Sequence, residues 1–194
     1  MASKHEQNRA EKRERLLKAA VEAFIEAGFE NTTVSDVVHR AGMTPSTFYN
    51  YYRDKDALRD ELVASAAGRM LRALVEIRGR ASGAEDYLRQ ACRGLFETLV
   101  ADAETSALLR RNLPHLRSLL DDKALKPVYA ALKTDMQSFA DPGLQDEGDA
   151  EYASAVLRAS LVEMVVVLLS RPDPGVDAAA EFLVRVISAS LRRS

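Results

Sequence analysis

Apolar residues recur at helical spacing along most of the chain, and no segment shows the strict alternation of a half-buried strand. In the first predicted helix, Arg9 to Ala27, the recurring positions are Leu17, Val21, Phe24 and Gly28, and the glycine is a natural stop. This pattern predicts an all-α protein. Further helices are expected at about residues 34–41, within 42–55, and at 55–80, 84–101, 103–112, 125–139, 150–170 and 176–192. A Pro-interrupted stretch, 114–123, and an acidic loop, 141–149, connect them.

Local start signals support the helices near the N-terminus. The run Thr33-Val-Ser-Asp36 matches the capping-box pattern, with Asp in place of Glu. The helix that it opens is expected to bury Val34, Val37, Val38 and Ala41. Asp54 can cap the long helix of residues 55–80. The expected core stripe of that helix is Leu58, Leu62, Ala66 and Met70.

The segment GMTPSTFYNYYRDK, residues 42–55, is the most informative part of the chain. Thr44 can cap a short helix through its hydroxyl, and Pro45 suits the first helical position, where no amide hydrogen is needed. Ser46 and Thr47 then lie beside the start of this helix. Exposed amides and hydroxyls at a helix start suit contact with phosphates and base edges.

The aromatic residues of this segment divide between inside and outside. Phe48 and Tyr52 lie four residues apart and are expected to anchor the short helix to the first one, while Tyr49 and Asn50 face outward. Three short helices with a tight turn before the third describe a helix-turn-helix unit, whose third helix lies in the major groove. A plain three-helix subdomain is the alternative. The cap, the helix length and the exposed polar residues together favour the DNA-binding interpretation.

Several side chains near this unit are candidates for phosphate contact. Tyr51 and Lys55 lie where a phosphate could be reached. Basic residues also crowd the N-terminal arm, at Lys4, Arg9, Lys12, Arg13, Arg15 and Lys18. Three glutamates lie among them, so a solvated helix face is as good an interpretation of the arm as a DNA contact.

Composition narrows the classes of function. The chain has 194 residues and a formal net charge of −2, so any DNA binding must come from a local patch. One cysteine, Cys92, and three well-separated histidines leave no metal site, and no nucleophile motif or glycine-rich phosphate loop supports an enzyme or a cofactor. The N-terminus lacks an apolar signal core, and the longest apolar run, Leu161 to Leu169, is too short to span a bilayer. We therefore expect a cytoplasmic protein without a membrane partner.

The last two predicted helices are apolar on more than one face. A helix that is apolar nearly all round must be covered on several sides, and a helix from a second copy can do this. We expect a two-fold homodimer through a four-helix interface; the alternative is that the monomer's own helices cover both faces. The expected interface residues are Leu161, Val165, Leu168, Leu183 and Ile187.

The C-terminal half also offers candidates for a small-molecule pocket. Arg158 and Glu163 interrupt the most apolar helix, and buried charges need partners. The candidate ligand-binding residues are Tyr87, Cys92, Phe96, Arg111, Asn112, His115, Tyr129, Met136, Arg158 and Glu163. Plain core is the alternative for the apolar candidates, and a solvated loop is the alternative for residues 111–115. Arg158 and Glu163 could instead meet another helix or the other subunit. An apolar lining predicts a hydrophobic effector.

The run LLKAAVEAFIEAGFENTTVSDVVHRAGMTPSTFYNYYRDKDAL resembles the N-terminal DNA-binding domain of the TetR family of bacterial transcriptional regulators. The resemblance implies an all-helical homodimer, DNA contacts from the third helix, and a C-terminal domain that binds a small molecule. Many members have Gly or Lys around the position of Pro45-Ser46, which leaves the base preference open. By position, the DNA-contact sites of the family fall on Thr33, Thr44, Pro45, Ser46, Thr47, Tyr49, Asn50, Tyr51 and Lys55.

These observations predict three parts: a helix-turn-helix DNA-binding domain at 1–54, a connecting helix at 55–80, and a helical ligand-binding and dimerisation domain at 81–194. The expected function is that of a repressor, which binds a palindromic double-stranded DNA operator as a dimer and is released by a small hydrophobic effector. The alternatives are an activator, a DNA-binding protein that needs no ligand, and a binding module that has lost its contact with DNA.

Overall fold

The computed structural model describes residues 4–100, 102–116, 118, 123–139, 147–171, 173 and 175–191. These residues are helical with connecting turns, which confirms the all-α prediction. Their contacts divide into two compact units, up to residue 64 and from residue 65 onward. The helices of the described part are α1 (Lys4–Ala27), α2 (Val34–Ala41), α3 (Pro45–Tyr49), α4 (Lys55–Arg80), α5 (Ala84–Val100), α6 (Ala103–Arg111), α7 (Leu113–Leu116), α8 (Lys126–Phe139), α9 (Glu147–Leu169) and α10 (Val176–Leu191).

The first unit is built on α1, which begins at Lys4 and not at Arg9 as predicted. Gly28 ends this helix with a φ of 82°, a left-handed conformation that glycine adopts without steric cost. The buried stripe also differs from the prediction, because Leu17 and Val21 are only half-buried. Small residues on the adjacent line allow close packing, and the residues that α1 buries are Leu16, Ala19, Ala20, Ala23 and Phe24.

The predicted helix starts and stops near α2 and α4 are confirmed. Asp36 N–H donates to the Thr33 hydroxyl (3.2 Å), and Thr33 N–H donates to the Asp36 carboxylate (2.8 Å). The Thr33 hydroxyl also donates to the Asp36 carboxylate (2.7 Å), and this hydrogen bond and then the one from the Thr33 amide lower the pKa of Asp36, because they favour the ionised carboxylate. Asp54 caps α4 by accepting from the amide of Ala57 at 2.8 Å.

The core stripe predicted for α4 needs a correction. Leu58 is buried as expected, but Leu62, Ala66 and Met70 are only half-buried. Farther along α4, the buried positions are Ala67, Leu74 and Ile77. Beyond Leu58, the buried stripe is thus displaced by one residue from the predicted one. Because the predicted and the observed stripes are both apolar, the local sequence pattern does not distinguish them.

The second unit packs α5 against α8, α9 and α10 around a common apolar core. α9 begins at Glu147, so residues 147–149 of the predicted acidic loop are helical; residues 140–146 lie outside the described part. A short helix, α7, occupies the start of the predicted Pro-interrupted stretch. Pro114 is compatible with this helix because the amides of the first helical turn make no hydrogen bond within the helix.

The structure corrects the residues expected at the dimer interface. Leu161, Val165, Leu168, Leu183 and Ile187 are all buried in the core of the single chain. They cannot also cover a second copy without opening that core. The apolar residues that α9 and α10 leave exposed are Tyr152, Val156, Val167, Phe182 and Val186. None of the described helices combines the length and apolar character needed to span a bilayer.

Candidate nucleic-acid interface and effector chamber

The turn before α3 is closed by backbone hydrogen bonds at the end of α2. Gly42 has a φ of 62° and donates to His39 O (3.1 Å), and Met43 donates to Val38 O (2.9 Å). The Arg15 guanidinium of α1 donates to the carbonyl of Ala41 at 2.6 Å. The turn is therefore fixed both within α2 and from α1, which sets the direction in which α3 leaves.

α3 itself is a five-residue helix that is capped at its start and anchored at its end. The Thr44 hydroxyl accepts from the amide of Thr47 at 3.3 Å, and Pro45 occupies the first helical position, as predicted. Phe48 is 0% exposed and its ring lies 5.7 Å from that of Tyr52, which is also buried. Both aromatic residues are therefore on the buried side of this unit, and the anchoring of Phe48 to α1 stays a prediction.

The opposite side of α3 is available to a partner. Thr44, Pro45, Ser46 and Asn50 are exposed, and Tyr49 is 59% exposed. Thr47 and Tyr51 are half-buried beside them. Their outward placement agrees with the sequence pattern, and their contact with DNA stays a prediction.

A side-chain network that the sequence did not suggest supports the end of α3. The Tyr52 hydroxyl donates to Glu61 Oε2 of α4 (2.9 Å), and Arg13 Nη2 of α1 lies 2.8 Å from the same oxygen. Burial and then the hydrogen bond to Glu61 raise the pKa of Tyr52, so this phenol stays protonated and continues to donate at physiological pH. Arg13, which looked like a possible phosphate contact, is thereby engaged within the unit.

The first turns of α1 and the exposed part of α3 enclose an open basic groove of about 730 Å³. The groove exists because α1 extends to Lys4, more than a turn beyond its predicted start. The Arg9 guanidinium lies 5.9 Å from the ring centroid of Tyr51, within the range of a cation–π contact. The basic groove is lined by Lys4, His5, Asn8, Arg9, Lys12, Thr47, Asn50 and Tyr51.

Lys55 has a different position from the one predicted. Its ammonium donates to the carbonyls of Phe29 (2.7 Å), Glu30 (2.9 Å) and Thr32 (3.0 Å) and lies 4.6 Å from the Phe29 ring centroid. An ammonium has three hydrogens, and these three carbonyls accept them. In the structure, Lys55 therefore stabilises the turn after α1, and its ammonium does not point toward a phosphate site. The Thr33 hydroxyl, also a predicted DNA contact, is likewise engaged with Asp36.

Replacing Lys55 with methionine is expected to lower the free energy of unfolding by about 1–3 kcal/mol, because charge-assisted hydrogen bonds are lost while the aliphatic stem is kept. The salt dependence of DNA binding is expected to stay the same. Chemical denaturation and binding titrations over a range of salt concentrations check the two parts. A decrease of about 0.9 in the magnitude of the slope of log K against log salt would instead indicate that Lys55 contacts a phosphate.

The second unit contains a small apolar chamber of about 40 Å³ between α4, α5, α8 and α9. This volume is far below the roughly 300–1,000 Å³ of typical ligand sites, so a ligand must displace its walls. Cys92 is one lining residue, and burial raises the pKa of its thiol to about 12, which keeps it neutral. The chamber is lined by Met70, Ala73, Leu74, Ile77, Leu88, Ala91, Cys92, Gly94, Leu95, Thr98, Val128, Leu132, Leu157 and Leu161.

The structure does not bring most of the candidate ligand residues to this chamber. Phe96 is fully buried core. Glu163 is exposed, so the expectation of a buried charge at that position is wrong. Arg158 is half-buried and lies 5.3 Å from the ring centroid of Tyr129, so a neighbouring helix supplies its contact. The side chain of Met136 lies outside the described residues.

The three candidates near α6 and α7 also lie away from the chamber lining. Arg111 is exposed, and the amide nitrogen of the Asn112 side chain donates to Leu108 O at 2.8 Å. His115 is half-buried within α7. The Asn112 side chain thus completes the end of α6, which is a structural use for that residue.

Sequence reasoning missed two polar residues that meet Tyr87 inside the second unit. The Tyr87 hydroxyl donates to Asp135 Oδ2, and Arg78 Nε lies 2.5 Å from Asp135 Oδ1. Burial and then the Asp135 carboxylate raise the pKa of Tyr87. We name Arg78, Tyr87 and Asp135 the polar cluster. Its signal in the sequence is an aspartate on the apolar stripe Val128–Leu132–Asp135, where the spacing of four and three residues puts all three on one helix face.

A capped short helix that follows a tight turn and presents polar groups beside a basic groove is the arrangement of a helix-turn-helix unit. A family profile described as "Bacterial regulatory proteins, tetR family" matches residues 16–62, which span α2 and α3 and the adjoining parts of α1 and α4. The match covers the run that carries the sequence resemblance, so residues 16–62 are similar to the N-terminal DNA-binding domain of that family, as the resemblance predicted.

Curated relatives match less than half of the chain, whereas solved structures match nearly all of it. The HTH-type transcriptional regulator YvdT of Bacillus subtilis, itself uncharacterized, is 38% identical over 76 residues, which are 39% of this chain and 38% of that relative. Solved structures match almost throughout. The fatty acid degradation regulator FadR from Bacillus halodurans is 21% identical with a TM-score of 0.72, covering 94% of this chain and 97% of that one. FadR from Bacillus subtilis in complex with stearoyl-CoA is 18% identical with a TM-score of 0.69, covering 92% and 98%. At these identities the two structures establish the fold alone.

Proposed function

We propose that the protein is a ligand-responsive transcriptional regulator that reads DNA through α3 and holds the DNA backbone through the start of α1. The observation that carries this proposal is the basic groove, in which three cationic side chains of α1 lie beside Thr47, Asn50 and Tyr51. The formal net charge of −2 means that binding to DNA requires a local concentration of positive charge such as this one.

Within this proposal, the exposed face of α3 enters the major groove. Ser46, Tyr49 and Asn50 are the candidates for reading base edges, because they are exposed and the helix is anchored on its other side. Arg9 and Lys12 are the candidates for phosphate contact, since they line the basic groove. Phosphate contacts set the position of α3, and contacts to base edges set the preferred sequence.

We also propose that two copies associate through α9 and α10. These helices expose Val156 and Val167 on one and Phe182 and Val186 on the other, although each already buries a different stripe in the core. A second apolar stripe on a helix pair favours contact with a second copy. A palindromic operator would require the two α3 helices of such a dimer to lie about 34 Å apart.

Replacing Phe182, which is 51% exposed, with aspartate is expected to produce monomers in sedimentation velocity at micromolar concentration. The matched control is Val75→Asp, a 62% exposed apolar residue on α4, which should leave the dimer intact. A monomeric protein before any substitution would contradict the proposed dimer. Loss of the dimer in the control alone would place the interface elsewhere.

The proposed effector is a small molecule with a large apolar part, which would enlarge the chamber between α4, α5, α8 and α9. The apolar lining supports this class, and so does the stearoyl-CoA bound by a protein of the same fold. A ligand that prefers one arrangement of α4 would change the affinity for the operator by differential binding to two states. Repression by occupancy of the operator, followed by release, is the proposed outcome.

Selection of duplexes from a random pool by the full-length protein, followed by footprinting, tests the DNA-binding proposal. We expect a palindromic sequence to be enriched. Recovery of no sequence above non-specific DNA would remove the proposal. A promoter reporter that carries the selected site then distinguishes repression, which lowers transcription, from activation, which raises it.

A further inference from the structure

The polar cluster of Arg78, Tyr87 and Asp135 continues the chamber lining along three helices. Each member stands four or three residues along its helix from a lining residue, in the pairs Leu74–Arg78, Ala91–Tyr87 and Leu132–Asp135. Residues at this spacing lie on one face of a helix, one above the other. The cluster therefore lies one turn beyond the apolar lining on each of the three helices, where an enlarged chamber would reach it.

Exposure differs sharply within this cluster. Tyr87 and Asp135 are buried, whereas the side chain of Arg78 is 45% exposed. The cluster thus runs from the surface at Arg78 to a buried carboxylate at Asp135. Burying a carboxylate is costly unless hydrogen-bonded partners compensate, and an apolar residue of similar size would serve stability as well. Since an apolar residue would stabilise the fold as well, we infer that Asp135 has a function besides stabilising the fold.

We propose that Asp135 recognises the head group of the effector, and that the effector carries a protonated amine on an apolar body. This inference rests on the proposed effector chamber. The apolar body occupies the enlarged chamber, and the ammonium donates to Asp135 in place of the Arg78 guanidinium. Arg78 can return to water at small cost because it is already half exposed, while Tyr87 keeps its hydrogen bond.

The buried carboxylate of Asp135 determines which charge the head group of the effector should carry. A carboxylate head group beside Asp135 would place two like charges together in a poorly solvated site, which is unfavourable. An ammonium restores the charge balance that Arg78 provides without ligand.

Half-buried Met70 and Leu95 belong to the chamber lining, and the flexible thioether of Met70 suits a wall that must move.

Calorimetry of the full-length protein with octylamine, octanol and octanoate, each below its micelle concentration, tests this assignment. We expect octylamine to bind roughly 10-fold or more tightly than octanoate, because a charge-assisted hydrogen bond replaces a like-charge contact. Asp135→Asn should reduce the preference to less than about threefold, within the range of a neutral hydrogen bond. Glu76→Gln, which removes an exposed carboxylate of the same helix as Arg78, should retain the full preference.

Tyr87→Phe gives a second measurement in case Asp135→Asn does not fold. It keeps the carboxylate and should keep the preference for the amine. Equal binding of octanoate by the unmodified protein, an unchanged preference in Asp135→Asn, or no binding of any of the three probes would overturn the proposal. Binding of the selected operator is measured on the same proteins without a probe. Intact operator binding together with failed amine recognition would therefore reject this inference and leave the proposed regulator standing.

Discussion

Replacing Phe48 with alanine is expected to lower the free energy of unfolding by about 3–5 kcal/mol and to abolish operator binding. Phe48 is fully buried and its ring contacts the rings of both Tyr49 and Tyr52. A helix of five residues is too short to persist without packing, so the loss of this anchor removes α3 as a rigid element. Denaturation followed by circular dichroism measures the first effect, and hydrogen exchange across residues 42–53 locates it.

The neighbouring Tyr49 provides a matched control for this prediction. It is an aromatic residue of the same helix, but it is 59% exposed. Tyr49→Ala should lower stability by only about 0.5–1.5 kcal/mol, the contribution of one aromatic contact, while still weakening the operator complex. Equal destabilisation by the two substitutions would contradict the division of α3 into an anchored side and a reading side.

The sequence was sufficient wherever the determining contact is local. The cap of α2 joins Thr33 and Asp36, and the cap of α3 joins Thr44 and Thr47, each over three residues. Hydroxyl and carboxylate side chains satisfy the free amides of a helix start whatever the rest of the chain does. These signals placed the helix-turn-helix unit correctly before any tertiary contact was known.

Contacts between distant residues were not predictable in this way. Glu61 accepts from Arg13, 48 residues away, and Lys55 donates to carbonyls 23 to 26 residues earlier in the chain. A basic residue at the start of a helix looks the same in the sequence whether it faces solvent or a neighbouring turn. Only the path of the chain after α1 brings those carbonyls to Lys55.

The proposed dimer surface illustrates a second limit of periodicity. α9 is apolar on more than one line, so its sequence predicts two buried faces without saying which one packs within the chain. The structure assigns Leu161, Val165 and Leu168 to the core and leaves Val156 and Val167 exposed. The bulkier leucine-rich line fills the interior of the chain, and the line with Val156 and Val167 stays exposed.

The double variant Arg9→Ala, Lys12→Ala is expected to bind the selected operator more than about 10-fold less tightly at 0.1 M salt, because each lost phosphate contact reduces the release of counterions. The slope of log K against log salt should decrease in magnitude by roughly 1.8, which is about 0.9 for each contact. The preferred base sequence should stay the same, since phosphate contacts set the position of α3 without identifying bases. Fluorescence anisotropy at several salt concentrations measures both quantities.

Lys18 separates this local effect from the loss of charge alone. It is an exposed cation of α1 that does not line the basic groove, so Lys18→Ala should leave the slope almost unchanged. Arg9→Ala and Lys12→Ala should each account for about half of the change in the double variant, because each is expected to remove one phosphate contact. A slope that decreases equally in Lys18→Ala would mean that the overall charge of α1 attracts DNA without a defined contact. In that case the first turns of α1 would serve association and not the positioning of α3.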